Sequence, residues 1–393
     1  MEQLSSGMVG LLVGAVLGLL LSVLFEDGLK NALNGLSTKI RRARAHGTLP
    51  AAGAEFRLGP LKTTVVLIEG DGRQVIDEQA VRIVVDPGEV ELPEEIEELR
   101  REVAERQAER GRDGTQAHWN GRTYAVAGFS VQRLGVDESP GVTLRLRGTD
   151  YFTFLATQQL DRVLPDGATL RRKYLDPYSP AEVPDFMRAS FGVYVAVVTA
   201  DEFTVFSKRS EVVGAFPGCW DTSVNEALSR SLDSQGRTPP RLYDVARRGL
   251  LEELGLEGSE YRLELLAFDV DMRTSQWGCV FVASLHTLTA AELAARMTRG
   301  IADQWEHEEI EFVRFTVPDV VGHLLRADRI DSWTPVAPAA FYLALVRRLG
   351  REQVERRLSR MFRKGVAPKK IVESAPRPTP PSTSGRNAVG SAE

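Results

Sequence analysis

Cysteine and histidine are scarce in this chain of 393 residues. The two cysteines, Cys219 and Cys279, lie far apart, so the sequence has neither a disulfide framework nor a CxxC metal or redox pair. The five histidines are scattered, and no HExxH, P-loop, GxSxG or GxGxxG spacing occurs. These absences remove the usual sequence support for a zinc hydrolase, a P-loop NTPase, an α/β-hydrolase and a Rossmann dinucleotide-binding protein.

An excess of positive charge is also lacking, because 49 Lys and Arg residues stand against 54 Asp and Glu residues and the formal net charge is −5. Proteins that bind nucleic acids use a basic surface to neutralise phosphates, so we expect no nucleic-acid partner. The 43% of hydrophobic residues is typical of a globular protein. At roughly 100 to 200 residues per domain, the length allows two or three folding units.

Residues 8–25 form a long apolar run without a charged residue. As an α-helix this run spans about 27 Å, which is close to the thickness of a bilayer core. No basic residue precedes the run, whereas several follow it closely, and the positive-inside rule therefore places the rest of the chain in the cytoplasm. These include Lys39, Arg41, Arg42 and Arg44. We predict a single-pass membrane protein with an anchor at residues 8–25 and cytoplasmic soluble domains.

Three glycines recur at four-residue spacing within the apolar run. Gly10, Gly14 and Gly18 would lie on one face of a helix, where the backbone of a second helix can approach closely. The spacing therefore predicts a homodimer that forms through the anchor.

The rest of the sequence divides by composition and by β-like and helical patterns. Five regions follow: residues 1–50, the anchor and a juxtamembrane basic helix; 51–115, a small β-hairpin region and a charged helix; 116–190, a β-rich subdomain of unassigned role; 191–350, a core-building domain; and 351–393, a basic helix with a disordered tail. The tail is rich in Pro, Ser, Thr and Gly and cannot bury enough apolar surface to become ordered.

The chemistry of the chain is concentrated in a predicted helix that starts at Thr238-Pro239-Pro240 and ends at Gly255. Arg248 and Glu252 are four residues apart on this helix and can form an ion pair. Glu252 and Glu253 place adjacent carboxylates just before the glycine turn. Clustered carboxylates favour a hard divalent cation, which can activate water and bridge diphosphate oxygens.

Residues 248–256, Arg-Gly-Leu-Leu-Glu-Glu-Leu-Gly-Leu, resemble the second half of the Nudix box, R-E-U-x-E-E-x-G-U, where U is a bulky aliphatic residue. Eight of the nine positions match. Residues 216–223 are similar to the strand before the box in the isopentenyl-diphosphate isomerase branch of that superfamily. The resemblance covers residues 191–350. It implies an α+β fold with a Nudix-like α/β/α sandwich, which here would follow a transmembrane helix and a small β-rich N-terminal subdomain.

The resemblance also implies a divalent metal site with Mg²⁺ or Mn²⁺. Glu252 and Glu253 would hold the metal, and Arg248 would brace the adjacent loop by ion pairing, which makes these three the predicted catalytic residues. Glu226 would be the displaced first glutamate of the box and a third metal ligand. An alternative third ligand would come from an acidic cluster of Glu306, Glu308 and Glu309.

The sequence departs from the box at two positions. Gly249 stands where the motif has a glutamate, and Pro240 stands where the first glutamate of the box is expected, eight residues before Arg248. A wall for stacking a base or binding phosphate could come from Trp220, Trp277, Trp305, Phe216 and Arg273, although isolated aromatic residues are more often part of a core.

Three hypotheses about function follow. The first is a membrane-anchored cytosolic Nudix-like hydrolase that uses a divalent metal to cleave a nucleoside diphosphate linked to another moiety. The second is a catalytically inactive Nudix-like module that binds a nucleotide as a sensor, a hypothesis motivated by Gly249. The third is a membrane-tethered interaction scaffold.

Overall fold

The computed structural model describes residues 55–134, 138–234, 239–298 and 307–363. Within these ranges no helix is both long and apolar enough to cross a bilayer. The predicted anchor at residues 8–25, with Gly10, Gly14 and Gly18, lies outside the described residues, as does the tail beyond residue 363. The membrane location and the homodimer therefore stay predictions.

The described residues form strands and helices in the following order. The strands are β1 (Arg57–Leu58), β2 (Leu61–Lys62), β3 (Val65–Glu69), β4 (Val81–Glu89), β5 (Arg122–Leu134), β6 (Ser139–Asp150), β7 (Phe191–Val198), β8 (Phe203–Arg209), β9 (Trp220–Asp221), β10 (Val224–Ala227), β11 (Tyr261–Asp271), β12 (Gln276–Leu285) and β13 (His307–Arg314). The α-helices are α1 (Glu94–Arg112), α2 (Tyr151–Thr157), α3 (Leu170–Tyr174), α4 (Arg230–Asp233), α5 (Leu242–Leu254), α6 (Ala290–Met297), α7 (Val317–Leu324), α8 (Ala337–Leu349) and α9 (Arg351–Arg363).

A central mixed sheet has the strand order β13-β8-β7-β12-β11-β3, with β10 paired to β7 and β9 paired to β8. Strands β7 and β12 run parallel, and the other pairs are antiparallel. All eight residues of β7, Phe-Gly-Val-Tyr-Val-Ala-Val-Val, are buried. A continuous apolar strand of this kind is typical of a sheet that is covered on both faces.

Two hydrophobic cores lie on opposite faces of this sheet. Val193, Val195 and Val197 of β7 belong to the core that contains helix α5, whereas the alternate residues Ala196 and Val198 belong to the core that contains α7, α8 and α9. This division follows from the two-residue period of a strand. The described residues therefore form an α+β fold with helices on both faces of the sheet, which confirms the predicted layer order.

The smaller sheet, in the order β4-β6-β5, packs on the α5 side of the central sheet. Its residues Tyr124, Val126 and Leu144 share the core with α5. Helix α1 packs elsewhere, in a third core that it forms with the segments around α2 and Phe186.

Helix α5 is the predicted box helix, and its end is confirmed. Gly255 adopts a left-handed backbone with φ of 66°, and its N–H donates to the carbonyl of Leu251 at 2.9 Å. Glycine reaches this conformation without a steric penalty, which explains the stop. The helix begins at Leu242, later than the predicted start, and Thr238 lies outside the described residues.

Strand β3 joins the N-terminal part of the chain to the central sheet. It pairs with β11, and its side chains enter both cores, Val66 and Ile68 on one face and Val65 and Leu67 on the other. The division of the sequence at residues 115 and 190 stays a prediction, and this strand pairing runs across it. We infer that residues 55–69 fold together with residues 191–350.

We predict that Leu67→Ala lowers the free energy of unfolding of the whole central sheet by about 2–5 kcal/mol, because it empties a buried site in one of the two cores. Urea unfolding of the full-length protein in detergent, followed by tryptophan fluorescence from Trp220 and Trp277, measures the change. Val163→Ala, at a position that is 62% exposed, is the control and should alter the free energy by less than about 0.5 kcal/mol. An unchanged unfolding midpoint for Leu67→Ala would mean that residues 55–69 fold separately.

Candidate functional site

Arg248 of α5 is at the centre of three carboxylates. Its Nη1 lies 2.6 Å from Glu226 Oε2 and 3.0 Å from Glu252 Oε2, and its Nε donates to Asp233 Oδ1 at 2.9 Å. Burial alone would lower the pKa of Arg248, but the charges of Glu226, Asp233 and Glu252 hold that pKa above its ordinary value. The guanidinium is therefore permanently charged, and three acidic side chains surround it. The predicted pairing of Arg248 with Glu252 is present.

Asp233 is a site residue that the sequence did not indicate. Both of its oxygens accept from Arg248, and Oδ2 also accepts from the backbone N–H of Ser229 at 2.7 Å. Its side chain is only 3% exposed. The bracing that the resemblance implied for Arg248 therefore runs through Asp233 as well as Glu226, and Glu226, predicted as a metal ligand, contacts the guanidinium instead. No motif spacing could reveal Asp233, because the chain between it and Arg248 does not follow the box.

Glu253 points away from this cluster. It is buried, its Oε1 accepts from the backbone N–H of Asn225 at 3.1 Å, and its Oε2 lies 3.0 Å from His307 Nε2. These contacts attach the end of α5 to β10 and β13. Glu252 and Glu253, which the sequence placed together as a metal-binding pair, therefore engage different partners. His307 was not predicted, since it comes from a distant strand.

Gly249 packs against β10, and this packing explains the first departure from the box. A Cβ atom at position 249 would lie 2.8 Å from Val224 Cγ1 and still closer to Glu226 Cγ. Contacts this short require the neighbours to move. The glutamate that the motif has at this position does not fit while Val224 and Glu226 keep their places.

The predicted metal ligands do not fit a divalent cation in this arrangement. Among the described residues, no group of three or more His, Cys, Asp and Glu side chains is placed to hold a metal ion. Glu226 and Glu252 contact one guanidinium, Glu253 faces Asn225 and His307, and Gly249 has no side-chain oxygen. Of the alternative third ligands, Glu308 pairs with Lys208 at 2.6 Å, and Glu306 lies outside the described residues.

A cavity of about 430 Å³ lies beside the Arg248 cluster, and Glu226 is part of its lining. The central sheet contributes polar side chains to this cavity, and segments outside the sheet contribute aromatic rings. The polar set includes Tyr194, Asn225, Asp269, Asp271 and Gln276, and the aromatic set includes His118, Trp119, Tyr151, Phe154 and Phe216. Such a combination of flat rings and hydrogen-bonding groups is typical of a small-molecule site.

Arg209 also lines the cavity, but its charge is already compensated. Its Nη1 lies 3.0 Å from Asp221 Oδ2, and its Nε donates to the carbonyl of Ala215 at 2.9 Å. Asp221 is completely buried. The cavity therefore contains more acidic than basic groups, and the phosphate of a ligand would not be attracted to its interior.

Asp269 is the most unusual side chain of the cavity. It is 2% exposed, and its Oδ2 has no hydrogen-bond partner among the residues that the structure describes. Burial raises the pKa of Asp269 to about 8, with a further contribution from the charge of Asp271. Burial therefore disfavours the ionised form of this carboxyl group.

The predicted aromatic wall is present only in part. Phe216 lines the cavity, and Arg273 lies beside it with its Cζ 5.8 Å from the ring centroid. Trp220 and Trp277 are core residues at 5% and 1% exposure, and Trp305 lies outside the described residues. The aromatic residues that sequence patterns missed are on segments 116–119 and 151–154, which belong to the region without an assigned role.

No protein-family model matches this chain, and no curated protein matches it. Three solved structures are similar to part of it. DR0079 from Deinococcus radiodurans is 21% identical with a TM-score of 0.20, over 29% of this chain and 76% of that chain. A MutT NUDIX hydrolase from Burkholderia pseudomallei is 16% identical with a TM-score of 0.24, over 39% of this chain and 95% of that chain. A MutT protein from Methanosarcina mazei Go1 is 16% identical with a TM-score of 0.24, over 42% and 94%.

We predict that Gly249→Ala lowers the free energy of unfolding by about 1–3 kcal/mol, because the added methyl group collides with Val224 and Glu226. In an open helix the same change is favourable by about 1 kcal/mol. Gly111→Ala in α1 is the matched control, since a Cβ there meets nothing within 4 Å. Thermal and urea unfolding of both variants measure the difference. If Gly249→Ala were as stable as Gly111→Ala, helix α5 would not be in close contact with β10.

Proposed function

We propose that this chain contains a Nudix-like domain, within about residues 191–350, that binds a nucleotide-type small molecule in the cavity and does not hydrolyse it with a metal at the box helix. The proposal rests on one observation: the carboxylates of the box already have partners within the protein. Glu226 and Glu252 are paired with Arg248, and Glu253 with Asn225 and His307, while the cavity beside them is open.

The lining of the cavity supports a nucleotide as the ligand class. Its volume is within the range of about 300–1,000 Å³ that small-molecule sites occupy. A base can stack on exposed rings such as Trp119, and polar side chains of the lining such as Asn225 and Gln276 can bond to its edge. Phosphates would extend toward the exposed Arg273 beside Phe216, away from the acidic interior.

The metal-dependent hydrolase is the competing hypothesis, and the eight matching positions of the box favour it. For that chemistry Glu226 and Glu252 would have to leave Arg248 and turn toward a cation. This would leave a half-buried guanidinium with fewer partners, which is unfavourable. The arrangement of the described residues therefore supports binding over catalysis.

The membrane location belongs to the same proposal and is supported by sequence alone. Residues 8–25 would anchor the chain with the domain in the cytoplasm, and Gly10, Gly14 and Gly18 would bring two copies together. A nucleotide bound in the cavity would then be detected at the membrane surface by a dimer.

We predict that full-length protein in detergent binds nucleoside mono- or diphosphates in the presence of EDTA and releases no product with Mg²⁺ or Mn²⁺. Calorimetry measures binding, and chromatography of the nucleotide measures turnover. Trp119→Ala should weaken binding by about 5- to 100-fold, because it removes a stacking surface. Tyr178→Ala, which replaces an exposed aromatic residue outside the cavity lining, is the matched control and should bind normally.

Turnover that requires Mg²⁺ or Mn²⁺ and disappears in both Glu252→Gln and Glu253→Gln would contradict the proposal and establish the hydrolase. Absence of both binding and turnover across the nucleotide panel would contradict both hypotheses.

A further inference from the structure

The last described helix, α9, has an exposed basic side. Its residues Val354 and Leu358 are buried in the core that also contains α7 and α8. Because an α-helix has 3.6 residues per turn, the residues opposite these two face solvent. We call the exposed arginines of this helix the basic face of α9. They are Arg356, Arg357, Arg360 and Arg363.

The charges of the basic face have no acidic partner among the residues that the structure describes. The Nε of Arg356 and the Nε of Arg363 each donate at 3.2 Å to a backbone carbonyl of the preceding turn, so these bonds stay within the helix. The two acidic residues of α9, Glu352 and Glu355, lie in its first half, and Glu355 is paired with Arg351. The second half of the helix therefore presents positive charge to solvent, although the chain as a whole has a net charge of −5.

This basic face lies next to the point where the chain enters the described fold. Gly59 is in the turn between β1 and β2, and a Cβ atom there would collide with the ring of Phe362 at the end of α9. The inward residues of β1 and β2 share the core with α9, whereas Arg57 and Lys62 on the other side of this hairpin are exposed. The hairpin thus adds two basic side chains near the last turn of α9.

An anionic membrane surface suits this position. The 29 residues from 26 to 54 connect the predicted anchor to the hairpin and span at most about 100 Å. Such a tether raises the effective concentration of lipid headgroups around the domain but does not determine which side of the domain faces them. The cytoplasmic leaflet has a negative surface potential, which attracts clusters of Lys and Arg. Three further lysines follow α9 in the sequence: Lys364, Lys369 and Lys370.

We propose that the basic face of α9 binds the anionic headgroups of the bilayer that holds the anchor, so that the domain docks on the membrane with this helix toward the lipid. Nucleic acid is the other common polyanion, and the acidic balance of the chain disfavours it. The inference goes beyond nucleotide binding and rests on the membrane location in the proposed function.

Vesicle flotation of the full-length chain tests the basic face separately from the anchor. Leu12→Asp, Val16→Asp and Leu20→Asp together place three charges in the apolar run and prevent its insertion, while every described residue is unchanged. This anchor-disabled chain should float with phosphatidylcholine vesicles that contain about 30% phosphatidylserine, and should bind phosphatidylcholine alone at least about tenfold more weakly. Raising the salt from about 0.1 M to about 0.5 M should release it, because salt screens exposed charges.

Three substitutions in the anchor-disabled chain test the basic face itself. Arg356→Gln, Arg360→Gln and Arg363→Gln together should weaken binding to the anionic vesicles by about 100-fold, since each basic residue near the surface contributes about fivefold.

The matched control makes the same change in net charge on another helix. It combines Arg106→Gln, Arg110→Gln and Arg112→Gln, at three exposed positions near the end of α1. The control should bind the anionic vesicles as the anchor-disabled chain does. Both sets of substitutions are at exposed positions, so the thermal unfolding midpoints should stay unchanged.

Equal binding to the two vesicle compositions would overturn the inference, and so would an α9 variant that binds no more weakly than the α1 control. Tighter binding to a single-stranded RNA of about 20 nucleotides than to anionic vesicles of equal phosphate concentration would assign the basic face to nucleic acid instead. Release of the wild-type chain from phosphatidylcholine vesicles by salt alone would contradict the anchor of the proposed function. In that case the comparison of the two arginine variants would still decide whether the basic face binds lipid.

Discussion

The guanidinium of Arg248 determines the geometry of the region on which both the cavity and the box helix depend. It connects α5 to β10 through Glu226 and to the short helix α4 through Asp233, and it neutralises Glu252 on its own helix. Removing a member of this partly buried ionic group would leave a charge without its partner, which destabilises the fold. Because Glu226 is held in this way, the edge of the cavity is fixed, and Gly249 is the residue that permits the close approach of the helix to the strand.

The same arrangement explains how two glutamates can end a helix without a metal. The C-terminal end of an α-helix has a partial negative charge, so carboxylates in the last turn are ordinarily unfavourable. In this chain Arg248 compensates Glu252, and the N–H of Asn225 together with His307 receives Glu253. A pattern that resembles a metal-binding motif in the sequence is therefore satisfied by contacts within the protein, and similarity of a motif does not by itself determine chemistry.

Local patterns predicted the elements that depend on nearby residues. The apolar run of β7, the glycine end of α5 and the pairing of Arg248 with Glu252 each follow from spacings of a few residues. Contacts between distant segments could not be predicted in this way. Asp233 and His307 reach the box helix from other elements, and strand β3 joins the central sheet from far upstream. The cavity is lined by several such segments, and no periodic pattern in the sequence indicates which segments come into contact.

Strand β3 also forms part of the wall of the cavity. Val65 lines the cavity, and the hydroxyl of Thr64 donates to Asp271, so the peptide that enters the sheet is part of the wall around a ligand. Energetic coupling between two sites is reciprocal. A molecule that binds against this wall and stabilises it would therefore also stabilise the pairing of β3 with β11, by the same coupling free energy.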